Sequence, residues 1–269
     1  MLQTLSGTTR VYVIIGDPIE QVKSPAGVTG GFAKRGRDAV LVPIHVSAAH
    51  VDAFIDSLGH VQNVDGIIAT VPHKFVAYRH CTSASDRAHL LTSVNGVRRN
   101  PDGTWYGDML DGLGLVGGLR QAGCEPSGKR TLLVGAGGAG SAIALALLDA
   151  GVAELAIHDV DIARRDKLIV RLRSRYPQKL AIGSADPSGF TLVVNATPLG
   201  MYPDDPLPVL ADRLSPAMFV ADVIPKPAVT RLLDIAQGMG CGTQTGVGMF
   251  EAQLDLMVDF LLASRTEAR

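Results

Sequence analysis

Lys74 follows Thr70-Val71-Pro72-His73 at the carboxyl end of an apolar run, residues 66–71, that reads as a parallel strand. Such strand ends line the crevices where ligands bind in open α/β sheets. An amine there works as a base once burial lowers its pKa from ~10.4. On spacing alone, Lys74 reads first as a solvated lysine on the opening turn of a helix, and His73 as a loop histidine. Asp111 opens another helix, where an acid complements the dipole. Asn95 stands in the tight-turn pair Asn95-Gly96. Ser24, followed by Pro25, reads as a helix N-cap. Gln253 interrupts the apolar stripe Met249, Leu256, Phe260. A polar amide on such a stripe requires a partner or a ligand.

A second constellation has anion-binding chemistry. Leu132-Leu133-Val134 reads as a buried strand, followed by Gly135-Ala136-Gly137-Gly138-Ala139-Gly140, an Ala/Leu-rich helix, and a strand ending in His158-Asp159. Gly135 makes the tight turn, Gly137 lets a pyrophosphate approach the backbone, and Gly140 lets helix and strand pack closely. The helix N-terminus supplies bare N–H groups and a positive dipole end. A trailing acid in this context makes the fingerprint specific for a dinucleotide. The competing reading is a membrane span, because residues 132–148 carry no charge. Glycines and Ser141 interrupt that stretch, which falls short of the ~20 mainly apolar residues a span needs.

Alternating elements are expected to position these residues. The first part of the chain reads as strands at 11–15, 40–46, 66–71, 93–99 and 104–106. Helices are predicted from Ser24, over 47–58 (inner face Val51, Phe54, Ile55, Leu58), and over 74–91 with a break near Ser83. Helix 111–122 and a short linker lead into the glycine turn. Beyond it come a helix at 162–176 with inner face Ile162, Ile169 and Leu172, and strands at 192–195 and 218–224. A helix at 229–239, facing inward with Val229, Leu232, Leu233 and Ala236, and a last helix at 246–262 complete the pattern. The alternation predicts an α/β protein.

The 269 residues suffice for two ordinary domains, and 46% hydrophobic content supports sizeable cores. Net charge is −1 with no block of like charge, which argues against nucleic-acid or membrane-surface partners. Cys81, Cys124 and Cys241 are far apart and form no CxxC, which suggests reduced thiols in a cytoplasmic protein and no metal site. The N-terminus lacks the charged-then-apolar pattern of a signal peptide.

Six ordered motifs around the fingerprint resemble the shikimate dehydrogenase family over nearly the whole chain. They are Gly16-Asp17-Pro18-Ile19 with Lys23-Ser24-Pro25, Gly66 with Thr70-Val71-Pro72-His73-Lys74, and Ser93-Val94-Asn95. The others are Gly107-Asp108-Met109-Leu110-Asp111-Gly112, Asn195-Ala196-Thr197-Pro198-Leu199-Gly200-Met201, and Gly246-Val247-Gly248-Met249 with Gln253. The resemblance implies an N-terminal α/β substrate domain (1–106, joined by the closing helix 246–269), a Rossmann domain (107–245) and a cleft between them. It implies reversible hydride transfer between a nicotinamide and shikimate or 3-dehydroshikimate. Lys74 becomes the general acid/base and Asp111 its partner. Ser24, Thr70, Asn95 and Gln253 contact substrate. The glycine turn with Asp159, Asp161, Asn195, Thr197 and Met249 holds the cofactor. The expected assembly is a monomer or homodimer.

The chain departs from the family pattern at several places. Val22 replaces the first serine of the substrate loop, and Val28-Thr29 replaces its usual His-Asn pair. Ile68 replaces an asparagine, Met109-Leu110 an Asn-Thr, and Pro225 a tyrosine. The lost serine and tyrosine would help hold the substrate carboxylate, at ~1.5–3 kcal/mol per charged hydrogen bond. Poor shikimate binding, or a quinate, aminoshikimate-like or other polyol substrate, is therefore an open alternative; a catalytically decayed nucleotide sensor is a second. NADP-using members carry Asn-Arg-Thr where this chain has Asp159-Val160-Asp161. Two carboxylates repel a 2′-phosphate, so NAD is expected over NADP, with Arg164 and Arg165 near enough to rescue a phosphate.

Overall fold

The computed structural model describes residues 5–263; residues 264–269, which the expected first domain includes, lie outside them. The chain divides into two compact units, Met1–Leu110 with Leu254–Arg269, and Asp111–Gln253. The division falls after Leu110 and inside the last helix.

In the first unit, β1 (Arg10–Gly16), β2 (Ala39–His45), β3 (Val64–Ala69), β4 (Ser83–Ala84), β5 (Gly96–Arg99) and β6 (Trp105–Asp108) form one sheet in the order β2-β1-β3-β5-β6-β4. β1 runs parallel to β2 and β3, whereas β5 is antiparallel to both β3 and β6. The helices are α1 (Ser24–Lys34), α2 (Val51–Gly59), α3 (Lys74–Arg79) and α4 (Asp86–Leu91). β1 and β3 are central strands buried on both faces, so each carries an apolar run, residues 11–15 and 67–69. Ile15 and Ile67 are fully buried, each contributing roughly 1.5–3 kcal/mol of hydrophobic stabilisation.

The second unit opens with α5 (Asp111–Gln121) and continues through β7 (Arg130–Val134), α6 (Gly138–Asp149), β8 (Glu154–His158), α7 (Ile162–Arg173) and β9 (Leu180–Ile182). It proceeds with β10 (Leu192–Asn195), β11 (Phe219–Asp222), α8 (Arg231–Gly238), β12 (Gly242–Gln244) and α9 (Gly246–Leu262). Its sheet is parallel throughout, in the order β12-β11-β10-β7-β8-β9. This is the doubly wound Rossmann arrangement, with β7 and β10 as neighbours at the switch point. α9 serves both units. Its first turns lie against α5, where a Cβ on Gly114 would stand 2.7 Å from Cβ of Gln253. Val258 and Leu261, in its second half, pack over Gly31 and Gly66 of the first unit.

Several expected faces shift. α2 begins at Val51, because residues 48–50 form a turn. Ser24 is the first helical residue, not the cap; Lys23 precedes it and makes no side-chain cap bond. Ile162 is 61% exposed, and Leu168 joins Ile169 and Leu172 on the buried face of α7. Val229 lies before α8 and is exposed, since Thr230 caps that helix by accepting from Leu233 N. β9 and β12 have no counterpart in the sequence reading. Each has only three residues, too few for a periodicity to register.

Candidate active site

Lys74 sits at the start of α3, just past the end of β3, and only 7% of it is exposed. The solvated-lysine reading therefore fails. Its carbonyl accepts from Val94 N at 3.1 Å, which ties the lysine turn to the segment carrying Asn95. The Asn95 backbone joins β3 to β6, accepting from Ala69 N and donating to Asp108 O. Its side-chain Oδ1 accepts from Leu110 N at 2.8 Å. His73 is buried, and its Nε2–H donates to Val46 O at 2.6 Å, leaving no room for a role as an exposed base. Thr70 is half-buried at the end of the same strand, and its N–H donates to Ile15 O. Ser24 is half-buried on the first turn of α1.

Sequence reasoning missed the group that fixes the end of β6. Asp108 is 6% exposed and accepts from Arg87 Nε (2.7 Å), Arg87 Nη2 (2.6 Å), Ser85 Oγ and Met109 N (2.7 Å). Burial alone would raise its pKa, but the guanidinium, the hydroxyl and the N–H hold it below the usual carboxylate value. Asp108 stands inside the Gly107-Asp108-Met109-Leu110-Asp111-Gly112 motif, whose expected role falls on Asp111 alone. Ile68, Val28, Met109 and Leu110 are all buried apolar side chains. Replacements that look like lost polar contacts in sequence therefore contribute to packing.

Within the second unit, Asp111 opens α5, is 6% exposed, and accepts from Gln253 Nε2 at 3.2 Å. The amide that breaks the apolar stripe thus has its partner. Leu256, on the expected stripe, is 42% exposed. Met249 is buried on the first turns of α9.

The glycine turn has the geometry that its sequence implies. Gly135 has φ +104°, and a Cβ there would stand 2.8 Å from the Ala196 carbonyl group. A Cβ on Gly140 would meet Gly135 O at 2.0 Å. At Gly137, which precedes α6, nothing lies within 4 Å of that position. The approach to the helix start is open over Gly137, with Gly138 and Ala139 half-buried beside it. A pyrophosphate fits this cradle: space above a glycine, and N–H groups that the helix cannot satisfy. Ala136 N donates to Asp159 Oδ2 (2.7 Å), and Ser141 Oγ donates to Ala136 O (3.2 Å).

Asp159 is 7% exposed, and its second oxygen accepts from Asp161 N at 2.8 Å. Asp161 caps α7 by accepting from Arg164 N. Arg164 lies across both acids, with Nη2 3.1 Å from Asp161 and Nη1 3.8 Å from Asp159. Arg165 is turned to Asp166 instead. Asn195 is fully buried, and its amide is engaged at both ends. Thr197 donates its N–H and hydroxyl to Asn195 Oδ1. Among the described residues no cluster suited to a metal ion is found, and no helix is long and apolar enough to cross a membrane.

An open cradle on a parallel Rossmann sheet, following an α/β unit with a buried lysine at a strand end, defines a dinucleotide-binding α/β protein. The family described as shikimate dehydrogenase substrate binding domain matches residues 14–97. A shikimate dehydrogenase (NADP(+)) from Rubrobacter xylanophilus is 34% identical over 90% of this chain and 87% of its own length. The chain belongs to the shikimate dehydrogenase family. A Listeria monocytogenes shikimate 5-dehydrogenase, solved with shikimate and NAD, superposes with TM-score 0.86 at 29% identity, covering 98% of this chain and 95% of that one. A 5-ketofructose reductase from Gluconobacter superposes with TM-score 0.82 at 28% identity, covering 95% and 93%.

The expected preference for NAD is overturned. Curated relatives at 30–34% identity are named shikimate dehydrogenase (NADP(+)). The two acids misled for a physical reason. Asp159 and Asp161 spend their oxygens on backbone N–H groups of the turn and of α7, and Arg164 covers their charge.

Proposed function

We propose that this protein is an NADP-dependent dehydrogenase that interconverts shikimate and 3-dehydroshikimate. One observation carries the reading: a buried lysine at a β-strand end, in a chain that also holds an open dinucleotide cradle and matches shikimate dehydrogenases (NADP(+)) over most of its length. Bound NADP supplies the hydride acceptor. A C–H hydride can leave only as the hydroxyl proton departs, so a base must reach that oxygen. Lys74 takes this proton on Nζ while the ring carbon becomes a ketone, and the reverse reaction returns it. Asp111, held by Gln253, orients the reacting hydroxyl. Thr70, Asn95 and Ser24 hold the remaining hydroxyls. Arg164, on its half-exposed stem, takes the 2′-phosphate. The three free cysteines suit a reducing cytoplasm.

The test is a panel of shikimate, quinate and neutral polyols offered with NADP+ and NAD+, with Lys74→Ala as control. The expected result is shikimate oxidation with NADP+ favoured and at least a hundred-fold loss in Lys74→Ala. Dinucleotide binding with no turnover of any substrate would instead support the sensor reading. A second substrate reading is favoured by Val22 and Pro225, which lack the hydroxyls expected to grip a carboxylate, and by the likeness to 5-ketofructose reductase. It predicts higher kcat/KM for a neutral polyol than for shikimate.

A further inference from the structure

Asn195, expected to touch the cofactor, spends its whole amide inside the protein. Nδ2 donates to Leu199 O at 3.1 Å and to both oxygens of Asp222 at 3.2 Å. Oδ1 accepts from Thr197 N at 3.0 Å and from Thr197 Oγ1 at 2.7 Å. Both ends of the 197–199 segment are therefore pinned to one side chain. Behind it stands Asp222, fully buried at the end of β11, where the backbone pairing places it beside Asn195. Asp222 also accepts from Ile224 N at 3.0 Å and from Thr230 Oγ1 at 2.8 Å. The segment so held lies against the glycine turn. Ala196 N donates to Val134 O, and the Ala196 carbonyl group and Thr197 Cγ2 close over Gly135.

We propose that Asp222, through Asn195 and supported by Thr230, is a positioning residue that seats the 196–199 segment over the glycine turn and so sets dinucleotide affinity. This rests on the reading of that turn as the cofactor site. The donors around Asp222 require an acceptor on both of its oxygens: the amide of Asn195, the N–H of Ile224 and the hydroxyl of Thr230. An amide at 222 would present its own N–H₂ to at least one of them. The mismatch would be relayed to Thr197 and Leu199 rather than confined to residue 222. A carboxylate in this place opposes its own burial, which raises its pKa, so its hydrogen bonds must hold it in place.

The full-length protein is titrated with NADPH by nucleotide fluorescence at 25 °C, and thermal unfolding is followed in parallel. Variants are Asp222→Asn, Thr230→Val and Thr230→Ser. We expect the NADPH Kd to rise at least ten-fold in Asp222→Asn and at least three-fold in Thr230→Val, and to stay within two-fold of wild type in Thr230→Ser. In turnover, KM for NADP+ should rise while KM for the hydroxylated substrate stays put, a split that loss of stability alone would not produce. If Asp222→Asn fails to fold, the Thr230 pair decides. A Kd within two-fold of wild type in every folded variant, whatever its Tm, overturns the proposal alone. Wild-type protein that binds neither NADPH nor NADH overturns it together with the dinucleotide reading.

Discussion

At the scale of single residues, burial separates the side chains that spacing left ambiguous. Lys74 and Asp111 each keep only 6–7% of their surface in water, so a long ionisable side chain and a short one both face protein. Lys74→Met preserves the stem and removes the amine; kcat should fall 10²–10⁴-fold with the substrate KM changed only a few-fold, as read by steady-state kinetics. Arg164→Ala should raise KM for NADP+ about ten-fold and leave that for NAD+ unchanged, since a half-exposed charge contact is weaker than a buried one. Asp108→Asn leaves the Arg87 guanidinium without its anion. Arg87 keeps about a third of its side chain in water, so the cost is expected near 2 kcal/mol, below the range for a fully buried pair, and is measurable by urea unfolding.

At the scale of elements, the second unit is set by how closely helices can approach strands and one another. A Cβ at Gly112 would stand 2.2 Å from Ala142 O, so α5 meets α6 backbone to backbone. Gly112→Val should destabilise the fold by 1–3 kcal/mol or more, visible as a lowered Tm. Gly137 tests the opposite case. Its φ of −70° suits any residue and its Cβ direction is empty, so Gly137→Ala should fold with nearly unchanged Tm. Dinucleotide affinity should nevertheless drop at least ten-fold, because the new methyl fills the space a pyrophosphate would enter.

At the scale of the molecule, two buried aspartates give acid stability opposite signs. Asp108 titrates below the ~3.9 of an unfolded carboxylate, so its contribution is present above that pH and is lost as pH falls through the lower folded value. Asp222 titrates above ~3.9, so the folded state binds its proton first, and stability is gained as pH falls through the raised folded value toward ~3.9. Denaturant unfolding across a pH series checks both. The advantage of wild type over Asp222→Asn should grow on acidification toward pH ~4, and its advantage over Asp108→Asn should shrink below that.

The sequence by itself determined the alternating elements, the Rossmann turn and the motif order that marks the family, because strand runs and glycines act locally. It determined where Lys74, Asp111 and Asn95 fall along the chain. It did not determine which polar groups are consumed internally. Asp159 points to NAD in one dimension, yet its oxygens serve Ala136 and Asp161; Asn195 looks like a ligand contact, yet it is the strut between Asp222 and Thr197. Asp161 and Thr197 are two residues away, but Ala136 and Asp222 lie on another turn and another strand, and only packing the parallel sheet brings those two within hydrogen-bond reach. Whether a buried acid binds a ligand or holds its own backbone depends on the donors that surround it, and tertiary structure alone supplies them.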